Sequence, residues 1–397
     1  MSKRLLALAG ALVVVAACAE PTSMPQATEA PSPASLAVAA NEPVPGQFIV
    51  VFNASAGEPR QLAASLVARV NGRLLYTYTH AVRGFAAQLG DGAVNALRAD
   101  PNVAYVEQDQ VISLNTMQTS ATWGIDRSDQ RSLPLSGTFT YANTGSGVNA
   151  YIIDTGIRFD HVEFGERALT GFDAVTSGGT AADCNGHGTH VAGTVGGATY
   201  GIAKAVSLFA VRVLDCNGSG TTSGVVAGID WVTANQVRPA VANMSLGGGA
   251  STTLDNAVKN SIATGISYAI AAGNGNRGGR QDDACKYSPA RVPEAMTISA
   301  TNSSDTKPSW ANYGKCVDWF APGVSITSAW YTSGTATNTI SGTSMATPHT
   351  TGVAALYLQS NPGATPQTVR DALFNNTTKG VVLSSKTANN HLLFTNY

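Results

Sequence analysis

The chain has 397 residues, 44% of them apolar and 12% charged, with a formal net charge of −1. That length and apolar content allow one large domain and a smaller one, each with its own core, and exclude a disordered chain. The sparse, balanced charge excludes a surface that tracks phosphates, so nucleic acid is not an expected partner.

In chain order, Lys3 and Arg4 precede an apolar run over residues 5–17 that is too short to span a bilayer as a helix. Residues 1–18 therefore read as a secretory signal. Two cleavage readings stand. "VAAC", residues 15–18, has the form of a bacterial lipobox, in which Cys18 is lipidated and tethers the precursor; alternatively, cleavage follows Ala19, with Ala17 and Ala19 as the small residues. Residues 19–45 are rich in proline and read as a flexible tether.

Residues 46–115 carry a pattern of their own. "QFIVVF" predicts a strand, Leu62, Leu66 and Val70 recur at helical spacing, and "RLLYTY" and "GFAAQL" predict two more strands. "GAVNALRAD" predicts a second helix stopped by Pro101, and "VAYVEQDQVI" a last strand. The order βαββαβ is the split ferredoxin-like unit, a small α+β domain.

Beyond it, residues 116–397 alternate buried-strand runs ("VNAYIID", "LFAVRVLD", "VANMSL", "ISYAIAA") with helical patterns such as Val225, Ile229 and Val232. This predicts a doubly wound α/β parallel sheet. Ligands of such sheets bind beyond the carboxyl ends of the strands, where this chain places Asp154, Asp215, residues 245–249 and Asn274. Cys184, Cys216, Cys285 and Cys316 follow the signal, an even number in an exported chain, and predict two disulfides with three pairings open.

The segment "DCNGHGTHVAGTVGG", residues 183–197, invites a zinc reading through Cys184, His187 and His190. A metalloprotease helix instead spaces its histidines by four with a glutamate between, whereas Gly188 and Thr189 intervene here, so no catalytic metal is expected. In "SGTSMATPH", residues 341–349, Ser344 follows Gly342 at the predicted start of a helix, with Pro348 placed in its first turn. Backbone N–H groups and the positive dipole end there stabilise charge on an attacked carbonyl oxygen. Serine needs a base, and a histidine base needs an acid that holds its tautomer. Asp154, ending "YIID", supplies the acid, and Asn274 in "AIAAGNGN" supplies an amide donor for the oxyanion. Each residue alone has a plainer reading, as helix cap, turn former or core histidine; together, on three Gly-rich element ends, they do not.

The segments "IIDTGI", "NGHGTHVAG", "AAGN" and "SGTSMATPH" resemble, in that order, the active-site segments of subtilases, in particular the proteinase K subfamily and its aqualysin-like secreted members. The resemblance covers residues 116–397, and residues 46–115 resemble the family's inhibitor-type propeptide. The order Asp, His, Ser is the subtilisin order. The resemblance implies a secreted serine endopeptidase with Asp154 as orienting acid, His187 as base, Ser344 as nucleophile and Asn274 as oxyanion donor. It places His190 on the supporting helix, pairs Cys184 with Cys216, and pairs Cys285 with Cys316.

It also implies that a peptide substrate lies as an added strand between Gly218, Ser219 and Gly220 on one side and Ser245, Leu246 and Gly247 on the other. The P1 side chain then enters a slot beside Ala271, Ala272 and Gly273. Neither "SLGGG" nor "AIAAG" carries a carboxylate, which predicts cleavage after apolar or aromatic residues. Structural Ca2+ is implied at two places: Asp318 with the carbonyls of Pro293 and Ala295, and Asp126, Asp129 and Gln130 with Ser136 and Thr138. The propeptide is expected to assist folding, to inhibit its own enzyme and to be cut near Asn115 and Thr116, leaving a free monomeric enzyme.

One departure from the family is "HTTGVAAL", where Thr350 and Thr351 replace small apolar residues. Their hydroxyls are expected to bond back to the preceding turn and to lower stability. The rival readings are a catalytically silent binding protein on the same fold and an esterase using the same machinery.

Overall fold

The structure is a computed structural model that describes residues 42–111, 116–276 and 278–397. The signal, Cys18 and Asn115 lie outside the described residues, as does the tether up to residue 41. The small domain runs β1 (Glu42–Phe52), α1 (Pro59–Arg69), β2 (Arg73–Tyr78), β3 (Gly84–Gln88), α2 (Asp91–Arg98) and β4 (Val103–Val111). Its antiparallel sheet has the order β2-β3-β1-β4. Both helices turn their apolar stripes, including Leu66, Val67, Val94 and Leu97, onto Phe48, Val50 and Phe85 of the sheet. The βαββαβ expectation holds element by element, except that β1 begins at Glu42, inside the stretch read as tether.

The large domain opens with β5 (Thr116–Thr119), α3 (Trp123–Ser128), β6 (Thr138–Tyr141), β7 (Asn149–Asp154) and β8 (Ala168–Asp173). It continues with α4 (His187–Gly196), β9 (Ser207–Arg212), α5 (Thr222–Asn235), β10 (Ala240–Met244), β11 (Gly248–Gly249), α6 (Thr252–Ala263) and β12 (Ser267–Ala271). The last third contains β13 (Tyr287–Ser288), β14 (Met296–Thr301), β15 (Trp319–Pro322), β16 (Ile326–Ala329), β17 (Thr337–Ile340), α7 (Thr343–Ser360), α8 (Pro366–Asn376), β18 (Thr378–Lys379) and β19 (His391–Leu392).

The main sheet has nine strands in the order β18-β19-β15-β14-β12-β10-β7-β9-β8. Every neighbouring pair is parallel except β18 with β19. The core strands are buried on both faces because each face has its own helical layer. Val191, Val195, Val353 and Leu356 of α4 and α7 pack on one side, and Val225, Ile229, Leu254 and Val258 of α5 and α6 on the other. β7 lies between β9 and β10, so the chain leaves it toward opposite sides of the sheet, and a crevice opens past its last residue, Asp154. Three strands of this sheet end earlier than their apolar runs predicted, β9 by the most. β9 stops at Arg212, which leaves Asp215 in a turn where its carboxylate accepts from the Asn217 and Ser219 amides.

Pro348 is the sixth residue of α7 rather than part of its first turn. Its missing N–H would have bonded the Ser344 carbonyl four residues back. That carbonyl instead accepts from the Ser245 hydroxyl at 2.8 Å. Thr350 and Thr351 also differ from expectation. Thr350 Oγ1 accepts from the buried Trp319 indole N–H at 3.0 Å, and Thr351 Oγ1 donates to the buried Asn243 side-chain oxygen at 2.8 Å. The back-bond expected of Thr351, to the Thr347 carbonyl, is the longer contact at 3.4 Å.

Candidate active site

Three element ends meet at the crevice. Asp154 is fully buried at the end of β7, and its Oδ1 accepts from the Thr155 amide at 2.8 Å and from His187 Nδ1 at 2.7 Å. His187 opens α4 with 26% of its side chain exposed to the cleft. Burial disfavours its imidazolium, but the charge and hydrogen bond of Asp154 and the charge of Asp183 outweigh this and hold its pKa above the ordinary histidine value. With Nδ1 engaged by the carboxylate, Nε2 is the ring atom left for a reacting partner.

The helix start that carries His187 is fixed by Asp183, a residue the sequence reading did not single out. Its Oδ1 accepts from the Thr155 hydroxyl and the Asn185 and Gly186 amides, and its Oδ2 from the amide and hydroxyl of Thr189. No N-cap signal pointed to it, because the N-cap position is Gly186, which has no side chain, and the carboxylate reaches the first turn from three residues further out. Gly188 is required by close approach, since a Cβ there would stand 2.2 Å from the Gly156 carbonyl oxygen.

Ser344 is the second residue of α7, where helical amides lack internal acceptors. Its hydroxyl donates to the Ser245 carbonyl at 2.9 Å. Asn274 follows β12 in a turn where Gly273 has φ +100°, a left-handed value that a side chain disfavours. Asn274 Oδ1 accepts from the amide and hydroxyl of Thr343 at 2.8 and 2.9 Å, which leaves the amide nitrogen as the end available to a ligand. Asn312, also not foreseen, holds this turn by donating to the Ala272 carbonyl and accepting from the Gly275 amide.

Two clefts flank these residues and share the segment 246–249. One, of about 550 Å³, is lined by His187, residues 217–222 and Ser245. The other, of about 980 Å³, is lined by residues 271–276, Thr343 and Ser344. Among the described residues, no carboxylate lines the second, and Arg280 is a charged residue at its wall. β11 pairs with β13, so residues 245–247 precede a paired edge.

Cys184 bonds Cys216, and Cys285 bonds Cys316. The first disulfide consumes the sulfur that a zinc reading required. His190, fully buried, has Nε2 on the Ile326 carbonyl at 2.9 Å, and burial lowers its pKa to about 4.

The two expected calcium corners differ. Asp126 accepts from Ser136 and the Gly137 amide, and the Gln130 side-chain oxygen accepts from the Ser136 amide. Asp129 accepts from the Thr140 amide through Oδ2, while its buried Oδ1 has no partner. Burial, and after it the nearby Asp126 charge, pushes the Asp129 carboxyl up to about 7. Oxygen donors with an orphaned carboxylate oxygen fit a hard cation. Asp318 does not fit in the same way: Oδ2 accepts from the Thr297 amide at 2.7 Å, and Oδ1 is ion-paired with Arg370. Among the described residues, no three His, Cys, Asp or Glu side chains gather into a metal-binding group.

The family model described as the subtilase family matches residues 145–394, and that of peptidase inhibitor I9 matches residues 47–115. The chain is 52% identical over 405 residues to an extracellular serine proteinase of Thermus sp. (strain Rt41A), covering 97% of each protein. It is 48% identical over 381 residues to alkaline serine exoprotease A of Vibrio alginolyticus, covering 91% of this chain and 70% of that one. The crystal structure of a cold adapted subtilisin-like serine proteinase matches with a TM-score of 0.67 at 53% identity, over 70% of this chain and 98% of that chain.

Proposed function

The chain belongs to the subtilase family, as a subtilisin-like extracellular serine proteinase with an I9-type propeptide, and from that premise we propose that Asp154, His187, Ser344 and Asn274 perform its peptide hydrolysis. The observation that carries this reading is the 2.7 Å bond from His187 to buried Asp154, at the same crevice as a helix-start serine and an amide whose oxygen is already held.

Ser344 Oγ attacks the scissile carbonyl carbon and passes its proton to His187 Nε2. Asp154 fixes the tautomer and stabilises the imidazolium that forms. The carbonyl oxygen, now negative, takes hydrogen bonds from Asn274 Nδ2 and the Ser344 amide. His187 returns the proton to the leaving amine, and water repeats the sequence on the acyl-enzyme. Attack requires Ser344 to exchange the Ser245 carbonyl for His187 Nε2, a rotation about χ1. A substrate N–H arriving at Ser245 competes for that carbonyl and favours the exchange. His187 must be neutral, so activity rises as pH passes above its elevated pKa.

Substrate backbone adds along Ser245, Leu246 and Gly247, facing Gly218, Ser219 and Gly220. The P1 side chain enters beside Ala271, Ala272 and Gly273, in a cleft with no carboxylate among its described residues, which favours apolar and aromatic residues. The propeptide acts as an intramolecular inhibitor and is released by self-cleavage near Asn115 and Thr116 to give a monomeric enzyme. Secretion starts from residues 1–18; loss of membrane association in a Cys18→Ala precursor identifies lipidation, and unchanged release identifies plain cleavage. Asp126, Asp129 and Gln130 hold structural Ca2+, and Asp129→Asn lowers the bound calcium, counted by equilibrium dialysis, by one equivalent. Nothing observed favours the silent binding protein or the esterase.

The test is expression of the wild type beside Ser344→Ala. The wild type yields a shortened product whose casein fragments, mapped by mass spectrometry, end in apolar or aromatic residues. Ser344→Ala accumulates at precursor length. A processed, active alanine variant would reject Ser344 as the nucleophile.

A further inference from the structure

The corner around Asp318 carries a cation of its own. Asp318 immediately precedes β15, and its carboxylate is spent on two partners from different elements: the Thr297 amide of β14 and the guanidinium of Arg370 on α8. Its side chain is 9% exposed and that of Arg370 27%, so the pair is largely shielded from water. Glu294, between Pro293 and Ala295, pairs with Lys259 of α6 at 2.9 Å, and its other oxygen is buried without a partner. Arg370 is near enough for its charge to act on Glu294 as well. Two carboxylates thus pair with two cations, Arg370 largely shielded and Lys259 mostly exposed, and the corner is already neutral.

Calcium takes six to eight oxygens at short range and depends on carboxylate charge to bind. At Asp318 it would meet one oxygen bonded to an amide and the other bonded to a guanidinium that never deprotonates. We propose that Arg370 is a built-in replacement for calcium at Asp318: a cation carried by α8 that ties this helix to the sheet and makes the corner independent of metal. The site is latent, so removing the guanidinium should turn Asp318, the Pro293 and Ala295 carbonyls and the unpartnered Glu294 oxygen into a calcium site.

The experiment uses the full chain carrying Ser344→Ala to prevent self-cleavage. Cleavage bands in that preparation would point to a failure of the catalytic assignment, not of this one. Calcium bound per chain is measured by equilibrium dialysis for this parent and after adding Asp318→Asn, Arg370→Gln, Arg370→Lys or Arg370→Gln with Asp318→Asn. The expected result is an unchanged count in Asp318→Asn and Arg370→Lys, one additional equivalent in Arg370→Gln, and loss of that equivalent in the double variant. Arg370→Gln should also melt lower than the parent in chelator and recover with calcium. A parent that loses one calcium on Asp318→Asn overturns the proposal, and so does a folded Arg370→Gln that gains none. The Asp318→Asn comparison decides the first point even if the Arg370 variants fold poorly.

Discussion

His187 and His190 stand one turn apart on α4, and their surroundings drive them in opposite directions. The first faces a cleft and a carboxylate, and its pKa is raised; the second is sealed against a backbone carbonyl, and its pKa falls to about 4. Burial acts against charge at both. The difference is made by an anion, since a carbonyl holds a neutral imidazole in place without compensating an imidazolium. The acidic corners differ in partner rather than in direction: Asp129 lacks a cation among the described residues and Asp318 has Arg370, yet burial holds both carboxyls above the usual carboxylate range.

The largest effect should come from breaking that contrast at the base. His187→Ala is expected to reduce kcat on a peptide substrate on the order of 10⁶-fold, as loss of the base does in Ser-His-Asp hydrolases. His190→Leu removes a group that touches no reacting atom and should stay within about tenfold of wild type, with its cost appearing as lower thermal stability. Active-site titration distinguishes lost turnover from lost protein. Comparable kcat losses in both variants would mean that the two histidines do not divide the work as their partners imply.

Much of this was legible beforehand, because chemistry concentrates at element ends where glycines cluster. Asp154, His187, Asn274 and Ser344 each sit in such a segment, and continuous apolar runs alternating with helical spacing placed the strands and helices of the sheet behind them. What escaped was contact between distant segments. Asp183 binds Thr155 across 28 positions and Asn312 binds Ala272 across 40, and no local pattern encodes either. Arg370 escaped for the same reason, since a lone arginine on an amphipathic helix reads as a solvated charge. Pro348 was misplaced by part of a helical turn because helix starts are soft in sequence, and its consequence, a free Ser344 carbonyl, appears only beside Ser245.

A smaller effect concerns the neutral histidines in acid. His190 and His349 are buried, and burial lowers both pKa values to about 4 from 6.5. The unfolded chain takes up these protons first as pH falls, so the stability they contribute is complete above about pH 6.5 and lost as pH drops toward 4. Replacing His349 with Leu should flatten the dependence of unfolding free energy on pH between 4 and 6.5 by about one proton, measured by denaturant titration of Ser344→Ala protein. An unchanged slope would show that His349 charges readily in the fold.

The smallest predicted effect tests the polar layer behind the nucleophile. Thr351 donates to Asn243, Asn243 donates to the Ser245 hydroxyl, and that hydroxyl donates to the Ser344 carbonyl. All four residues are at least partly buried, so removing one donor strands the next acceptor instead of returning it to water. Thr351→Val should cost about 1–3 kcal/mol by leaving the Asn243 oxygen unpaired, and Thr351→Ser should recover most of it. Thr350→Val should show a loss of similar size by leaving the Trp319 N–H without an acceptor. Helix propensity alone predicts little change for threonine to valine, since both are β-branched. Melting temperatures of the three variants therefore separate the accounts: equal values for Val and Ser at position 351 would return these hydroxyls to the role of helix-weakening side chains.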